Sequence, residues 1–192
     1  MPFSGPTKSV KLALASVFAA VIALGTILSI PIPPPVFEIT WSPAIYLALA
    51  VLADNWTAAT ATGIGSFIGE LYNINTKAGG SPIYPFGLVW ARVPEIFIVA
   101  WGAHKGGRWL VASMVVATIF ETFAFLISDG LFYSYGLFGY GSPTNLASGF
   151  YLALPDLATL ADLFWIFPAL LIIRAARPSF KRLGFPVKDS RV

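Results

Sequence analysis

From Lys8 to Ile30 the chain is a nearly unbroken apolar run, long enough to cross the hydrocarbon of a bilayer, which takes about 20 helical residues. Comparable runs recur along the sequence, separated by turns rich in Gly, Pro, Asn and Asp. Only 11% of the residues are charged, against about 25% in soluble domains. Backbone polar groups in lipid must be satisfied within the segment, so such runs read as helices. The 192 residues leave room for about six crossings with short connections and no appended soluble domain. The expected fold is an all-α integral membrane protein of six transmembrane helices, with residues 1–178 as one domain and residues 179–192 as a basic tail. Cysteine is absent, which removes disulfides, thiol nucleophiles and cysteine metal sites.

The first run is too long for a secretory signal and lacks a small-residue cleavage site, so it reads as a retained helix. Ala15, Ala19 and Ala23 recur along it every fourth position, a strip that another helix can approach closely. Pro31, Pro33, Pro34 and Pro35 end it and imply a stiff, extended loop through Glu38. A short second helix is expected over Trp41–Ala53, a third over Trp56–Tyr72 and a fourth over Phe86–Ala103, kinked at Pro94. A fifth runs to about Ser128. A long loop without Lys or Arg follows from Asp129 to Leu154, and a sixth helix runs from Pro155 to Arg174.

Six crossings with both ends on one side gather ten of the twelve basic residues there. The positive-inside rule then makes both termini cytoplasmic. The long aromatic loops face outward, and the Asn55–Trp56–Thr57 sequon falls in a cytoplasmic turn.

Charged groups within apolar segments are costly and mark function or pairing. Gly63–Glu95 concentrates them. Glu70 and Asn73 share one face of the third helix, and Arg92 and Glu95 one face of the fourth. Arg92 either forms a structural ion pair with Glu70 or Glu95 or lines a site. Glu121, Phe125 and Asp129 share a stripe of the fifth helix, where Glu121 either reaches the site or bonds a neighbouring helix. Asp156 suits the positive end of a helix. Asp162, six positions on, points about 120° away from it in an α-helix, so the two make no dyad. Glu38, Trp41, Tyr84, Trp90 and Tyr133 add acidic and aromatic candidates, set among interfacial aromatics that include Phe37, Tyr72, Tyr135, Tyr140 and Tyr151. Acidic plus aromatic linings favour planar heterocycles, basic or neutral ones first.

The chain has no phosphate-binding GxxxxGK[ST] loop and no HExxH or GxSxG motif. With a single histidine and no cysteine, a metal site is not expected. No catalytic role, cofactor or nucleic-acid partner is assigned. Two other classes stay open: a small membrane enzyme using Glu70, Arg92 and Glu95 on a lipid-soluble substrate, and a structural or assembly subunit.

The segments KLALASVFAAVIALGTIL, PIPPP, FEITWSPAIYLALAVLADNW and ATGIGSFIGELYN resemble the substrate-binding S component of energy-coupling factor transporters, and the resemblance extends over residues 8–178 in length, spans and loop character. It implies an outward-facing site for a vitamin or related heterocyclic micronutrient in a prokaryotic cell membrane. It also implies a transmembrane coupling subunit and two ATPase subunits as partners, with ATP hydrolysis in the partners. It places Ala15, Ala19 and Ala23 against the coupling subunit, and Glu38, Trp90, Arg92, Glu95, Asp129 and the loop from Tyr133 near the ligand.

Overall fold

The computed structural model describes residues 5–32, 37–78, 82–137 and 145–187. α1 (Lys8–Ile27) opens with a Thr7 cap whose hydroxyl accepts from the Val10 amide. It leads into a two-stranded antiparallel ribbon of β1 (Ile30–Ile32) and β2 (Phe37–Ile39), in which Pro31 faces Glu38. The expected extended loop is thus a hairpin in its described part; Pro33, Pro34 and Pro35 lie outside the described residues.

α2 (Ser42–Leu52) starts with Pro43 in its first turn, where no amide donor is needed. Its 11 residues rise only about 16 Å. Almost every side chain is buried, the mark of a helix enclosed by others on all sides. Around it stand α1, α3 (Asn55–Asn73), α4 (Tyr84–Lys105) and α7 (Ile166–Arg182). The core they share holds Ile22, Leu49, Leu52, Ile96, Val99 and Ile173.

α1 and α3 touch along small residues. A β-carbon on Gly65 would stand 2.6 Å from the Ala19 carbonyl oxygen, and one on Gly69 would stand 2.8 Å from that of Ala23. Ala15, Ala19 and Ala23 are all buried, and this seam occupies the strip. A second chain could not reach it without displacing α3, because the close approach that alanine permits is already used within the molecule. At the far end of the seam the Asn73 amide donates to the Thr26 carbonyl at 3.1 Å.

The opposite end is basic. Asp54 caps α3 through the Thr57 amide at 3.2 Å and hydroxyl at 2.7 Å, and pairs with Lys11 at 3.3 Å. Partial burial works to raise the Asp54 pKa, yet the Thr57 hydrogen bonds and the Lys11 charge together hold it below its ordinary value. The start of α1 and the α2–α3 turn therefore share one end of the bundle. Lys105 lies 3.8 Å from the Trp101 ring centre, at the turn into α5 (Gly107–Ser134).

α4 continues through Pro94, as its expected span requires, because proline removes one ladder bond while the flanking turns persist. Other helix limits differ from expectation. α5 continues six residues past Ser128 to Ser134, so Asp129 and Tyr133 are helical rather than in a loop. The cation-free segment that follows contains α6 (Leu146–Ala153), packed on α5 where Gly149 meets Gly130 and Ser134. The sixth expected helix begins as a 12-residue 3-10 helix, Leu154–Trp165, and becomes α-helical only from Ile166, in α7. α7 reaches Arg182, and Phe180 and Phe185 pack against one another inside, so the first residues of the expected tail belong to the bundle. Lys188 and Arg191 lie outside the described residues.

By length and composition, α1, α4, α5 and the continuous Leu146–Arg182 segment can each cross a membrane. The chain is a helical protein of membrane type.

Candidate functional site

Side chains from five elements meet in the middle of the bundle. Arg92, about halfway along α4, donates from Nε to Glu121 Oε1 at 2.9 Å and from Nη1 to Ser66 Oγ at 3.3 Å. Tyr46 of α2 donates to the same Glu121 carboxylate, with its oxygens at 3.3 and 3.2 Å, and the Arg92 guanidinium lies 5.6 Å from the centre of the Tyr46 ring. Arg92 thus pairs across to α5, and neither Glu70 nor Glu95 is its ion-pair partner. The long guanidinium side chain reaches over the α4–α5 contact, where Glu121 stands at the same level. Glu121 does bond neighbouring helices, one of the two roles open to it from sequence.

Glu95 is fully buried one turn beyond Arg92; the Tyr46 hydroxyl stands near its carboxyl but is turned to Glu121, so neither Glu95 oxygen receives a hydrogen bond of ordinary geometry. Its electrostatic neighbours are Glu121, Arg92, Tyr46 and Asp162. Asp162 is buried too.

The 3-10 helix explains how Asp162 enters. Residues three apart eclipse one another in this geometry. Ala153, Asp156, Thr159, Asp162 and Trp165 form its inward row, buried or half-buried, flanked by exposed Leu154, Leu157, Leu160 and Leu163. Asp156 and Asp162 therefore share a face, correcting the expectation from α-helical phase. Six residues rise about 12 Å in a 3-10 helix, the same distance that eight residues rise in an α-helix. Asp129 is eight residues beyond Glu121 on the facing α5. The two elements thereby match acid to acid at two levels, Asp129 with Asp156 and Glu121 with Asp162.

The outer level comprises Asp129, Asp156, Glu70 and Tyr84, close enough for their charges to act on one another. Asp129 is buried and accepts from its neighbour Ser128 at 3.4 Å; Glu70 and Tyr84 are half-buried. Between the levels lie Leu88, Ala91, Ala124 and Phe125. Asn73 closes the α1–α3 seam. Trp41 is half-exposed and packs against Trp165 with the rings tilted by 51°, ring centres 4.7 Å apart. Tyr133 is half-buried in the last turn of α5. Trp90 is 66% exposed and stands on the outer surface of α4, apart from both levels; Tyr72, Tyr135 and Tyr151 are exposed as well. Glu38 sits in β2, and its side chain, like Lys77's, lies outside the described residues, as does Tyr140.

An apolar groove of about 590 Å³ runs between α3 and α4, lined by Trp56, Gly63, Ile64, Phe67, Phe86 and Val89 among others. None of the buried charged groups lines it, and its chemistry suits lipid rather than a polar ligand.

Tyr46, Ser66, Asp162 and Trp165 belong to the inner level but are not among the site residues expected from sequence. Tyr46 carries the sole hydroxyl in the apolar body of α2 after Ser42, which is a readable signal. Ser66 stands one turn before Glu70, also readable. The inward pairing of Asp162 depends on the 3-10 geometry.

No protein-family model matches this chain, and no curated protein matches it in sequence.

Proposed function

We propose that the chain is the ligand-capturing membrane subunit of an importer of the energy-coupling factor type, crossing the membrane six times with both termini in the cytoplasm of a prokaryotic cell. Its ligand is a vitamin or related small heterocycle taken from outside, and its partners are a coupling subunit and two ATPase subunits. The observation that carries this reading is the excess of buried carboxylate: Glu95, Glu121, Asp129 and Asp162 are buried with one buried guanidinium, Arg92. Charges inside a lipid-embedded bundle are retained where they pair or handle a solute, and Arg92 with Glu121 accounts for only part of the set. The two-level placement along α5 and the 3-10 helix gives a solute entering from the Tyr84 end two polar stations, separated by Leu88, Ala91, Ala124 and Phe125. The Lys11–Asp54 contact and the basic α4–α5 turn support a cytoplasmic start for α1. With Ala15, Ala19 and Ala23 enclosed, the face of α1 left for a coupling subunit carries Ala13, Ser16 and Ala20, all exposed.

The test is mass spectrometry of small molecules that copurify with the detergent-solubilised protein, followed by rebinding of the identified compound. A heterocycle that rebinds without being transformed supports the reading; conversion of an added lipid-soluble substrate into product overturns it.

A further inference from the structure

The inner level contains groups that are not spent on holding helices together. Glu95 is sealed from solvent, and neither of its oxygens receives a hydrogen bond of ordinary geometry, the nearby Tyr46 hydroxyl being bonded to Glu121. Arg92 directs its observed hydrogen bonds to Glu121 and Ser66, and the Tyr46 hydroxyl is turned to Glu121. An interior carboxylate left without a donor is among the costlier features a fold can keep. The Trp165 indole N–H is likewise buried without an acceptor, as is the Thr62 hydroxyl.

Geometry brings these groups toward one place. Gly63 of α3 meets Val89 and Val93 of the antiparallel α4, so the neighbouring Thr62 stands near the level of Arg92, about one turn from Glu95. Trp165 follows Asp162 by three residues of 3-10 helix and so occupies the same face. Trp41 lies against its ring. The result is two carboxylates, a hydroxyl, one N–H donor and an indole surface. Among the described residues no group of three or more acidic or histidine side chains is disposed to hold a metal ion. The complement of such a set is a flat ring with one positively charged N–H edge, since carboxylates form their strongest hydrogen bonds to cationic donors and indole attracts cations.

We propose that Glu95 and Asp162 bind the protonated N–H edge of a singly charged, planar nitrogen heterocycle, with Trp165 supplying ring surface and a donor. This rests on the reading of the chain as a ligand-capturing subunit and narrows its substrate class. With a neutral or anionic ring, Arg92, already bonded to Glu121, is the one buried cation among the described residues to serve Glu95 as well.

The experiment uses the full chain in lipid nanodiscs, with tryptophan emission as the signal, titrated with 4-aminopyridinium and with imidazolium at constant ionic strength. Sodium chloride is the reference cation. At least one ring cation is expected to give a saturable change that sodium does not. Glu95→Gln should weaken binding about tenfold or more, the loss of a charged hydrogen bond, and Glu95→Asp should retain part of the affinity. Lys181→Gln, at the end of α7, should leave it within about twofold. Trp165→Phe should keep the ring and lose affinity through the N–H. No saturable response to either ring cation, an equal response to sodium, or undiminished binding in a folded Glu95→Gln protein would each overturn the proposal. If a neutral or anionic compound copurifies and rebinds equally to Glu95→Gln, the charge assignment fails while ligand capture stands. If ring cations bind but cells lacking the protein take up the copurified compound normally, the capture reading fails instead.

Discussion

Arg92→Met should unsettle the bundle through what it leaves behind. Glu121 would remain fully buried with the Tyr46 hydroxyl as its remaining donor among the described residues, one hydrogen shared between contacts of 3.2 and 3.3 Å. Breaking one side of a buried pair costs about 3–5 kcal/mol, and the Tyr46 bond offsets about 1 kcal/mol, so a net loss of about 2–4 kcal/mol is expected. Glu121→Leu alone strands the guanidinium in the same way. In the double variant Arg92→Met/Glu121→Leu neither charge is stranded, and the residual cost is that of the Tyr46 hydroxyl and Ser66, about 1–3 kcal/mol. The double variant should therefore be no less stable than either single one. Reversible unfolding in mixed micelles, with SDS as denaturant and far-ultraviolet circular dichroism as readout, gives all four corners of the cycle. Losses that add within about 0.5 kcal/mol would show that the two residues do not act as a pair, and the account of the inner level would fall with them.

Three further outcomes can be checked separately. Gly65→Ala should destabilise by about 1–3 kcal/mol, because its new β-carbon meets the Ala19 carbonyl oxygen at 2.6 Å, whereas Gly63→Ala meets a movable Val93 methyl at 3.2 Å and should cost less; equal unfolding midpoints would contradict the α1–α3 seam. Asp54 has a lowered folded-state pKa, so its contribution is full above its ordinary pKa of 3.8 and is lost as pH falls through the lower folded value. Asp54→Ala should remove about 1 kcal/mol at neutral pH, and the difference from wild type should shrink in acid; a constant difference would argue against the ionised cap. Because the chain has no cysteine, single cysteines at Lys105 and Asn145 can be labelled without background: an impermeant maleimide on intact cells should reach Asn145→Cys and spare Lys105→Cys, and the reverse pattern would invert the orientation.

Much of the helical framework is legible in the residues. Pro43, Asp54 and the Asp54–Asn55 turn punctuate α2 and α3 within a residue or two of where they begin and end, since caps and proline act locally. The far ends are harder. Gly130 and Gly136 read as a loop, yet α5 continues through Gly130 because Phe150 and α6 cover it, a tertiary contact that overrides propensity. Arg92, Glu95 and Glu121 stand out as charges in apolar segments, but helical phase names a face and not a partner; the choice of Glu121 over Glu95 depends on how α4 and α5 are set against each other. The inward row of the 3-10 helix is hidden for a different reason. Its leucines and aspartates fit an α-helical reading, and only the tighter winding brings Asp156 and Asp162 into line.

The burial of α2 has a consequence for the order of assembly. At 11 residues it is short for a crossing, and its surface, apolar but for Ser42 and the Tyr46 hydroxyl, has no polar face to rest at an interface. Its cover is completed by α7, more than a hundred residues later in the chain. During synthesis the α2–α3 hairpin must therefore wait, loosely held against α1, until the last helix arrives. Contacts of such long sequence separation form late and slowly. Ribosome-stalled chains ending before Ile166 should leave Tyr46 and its neighbours open to lipid and to proteases, while chains extended past Arg182 close in one step. The centre of the molecule is the part finished last.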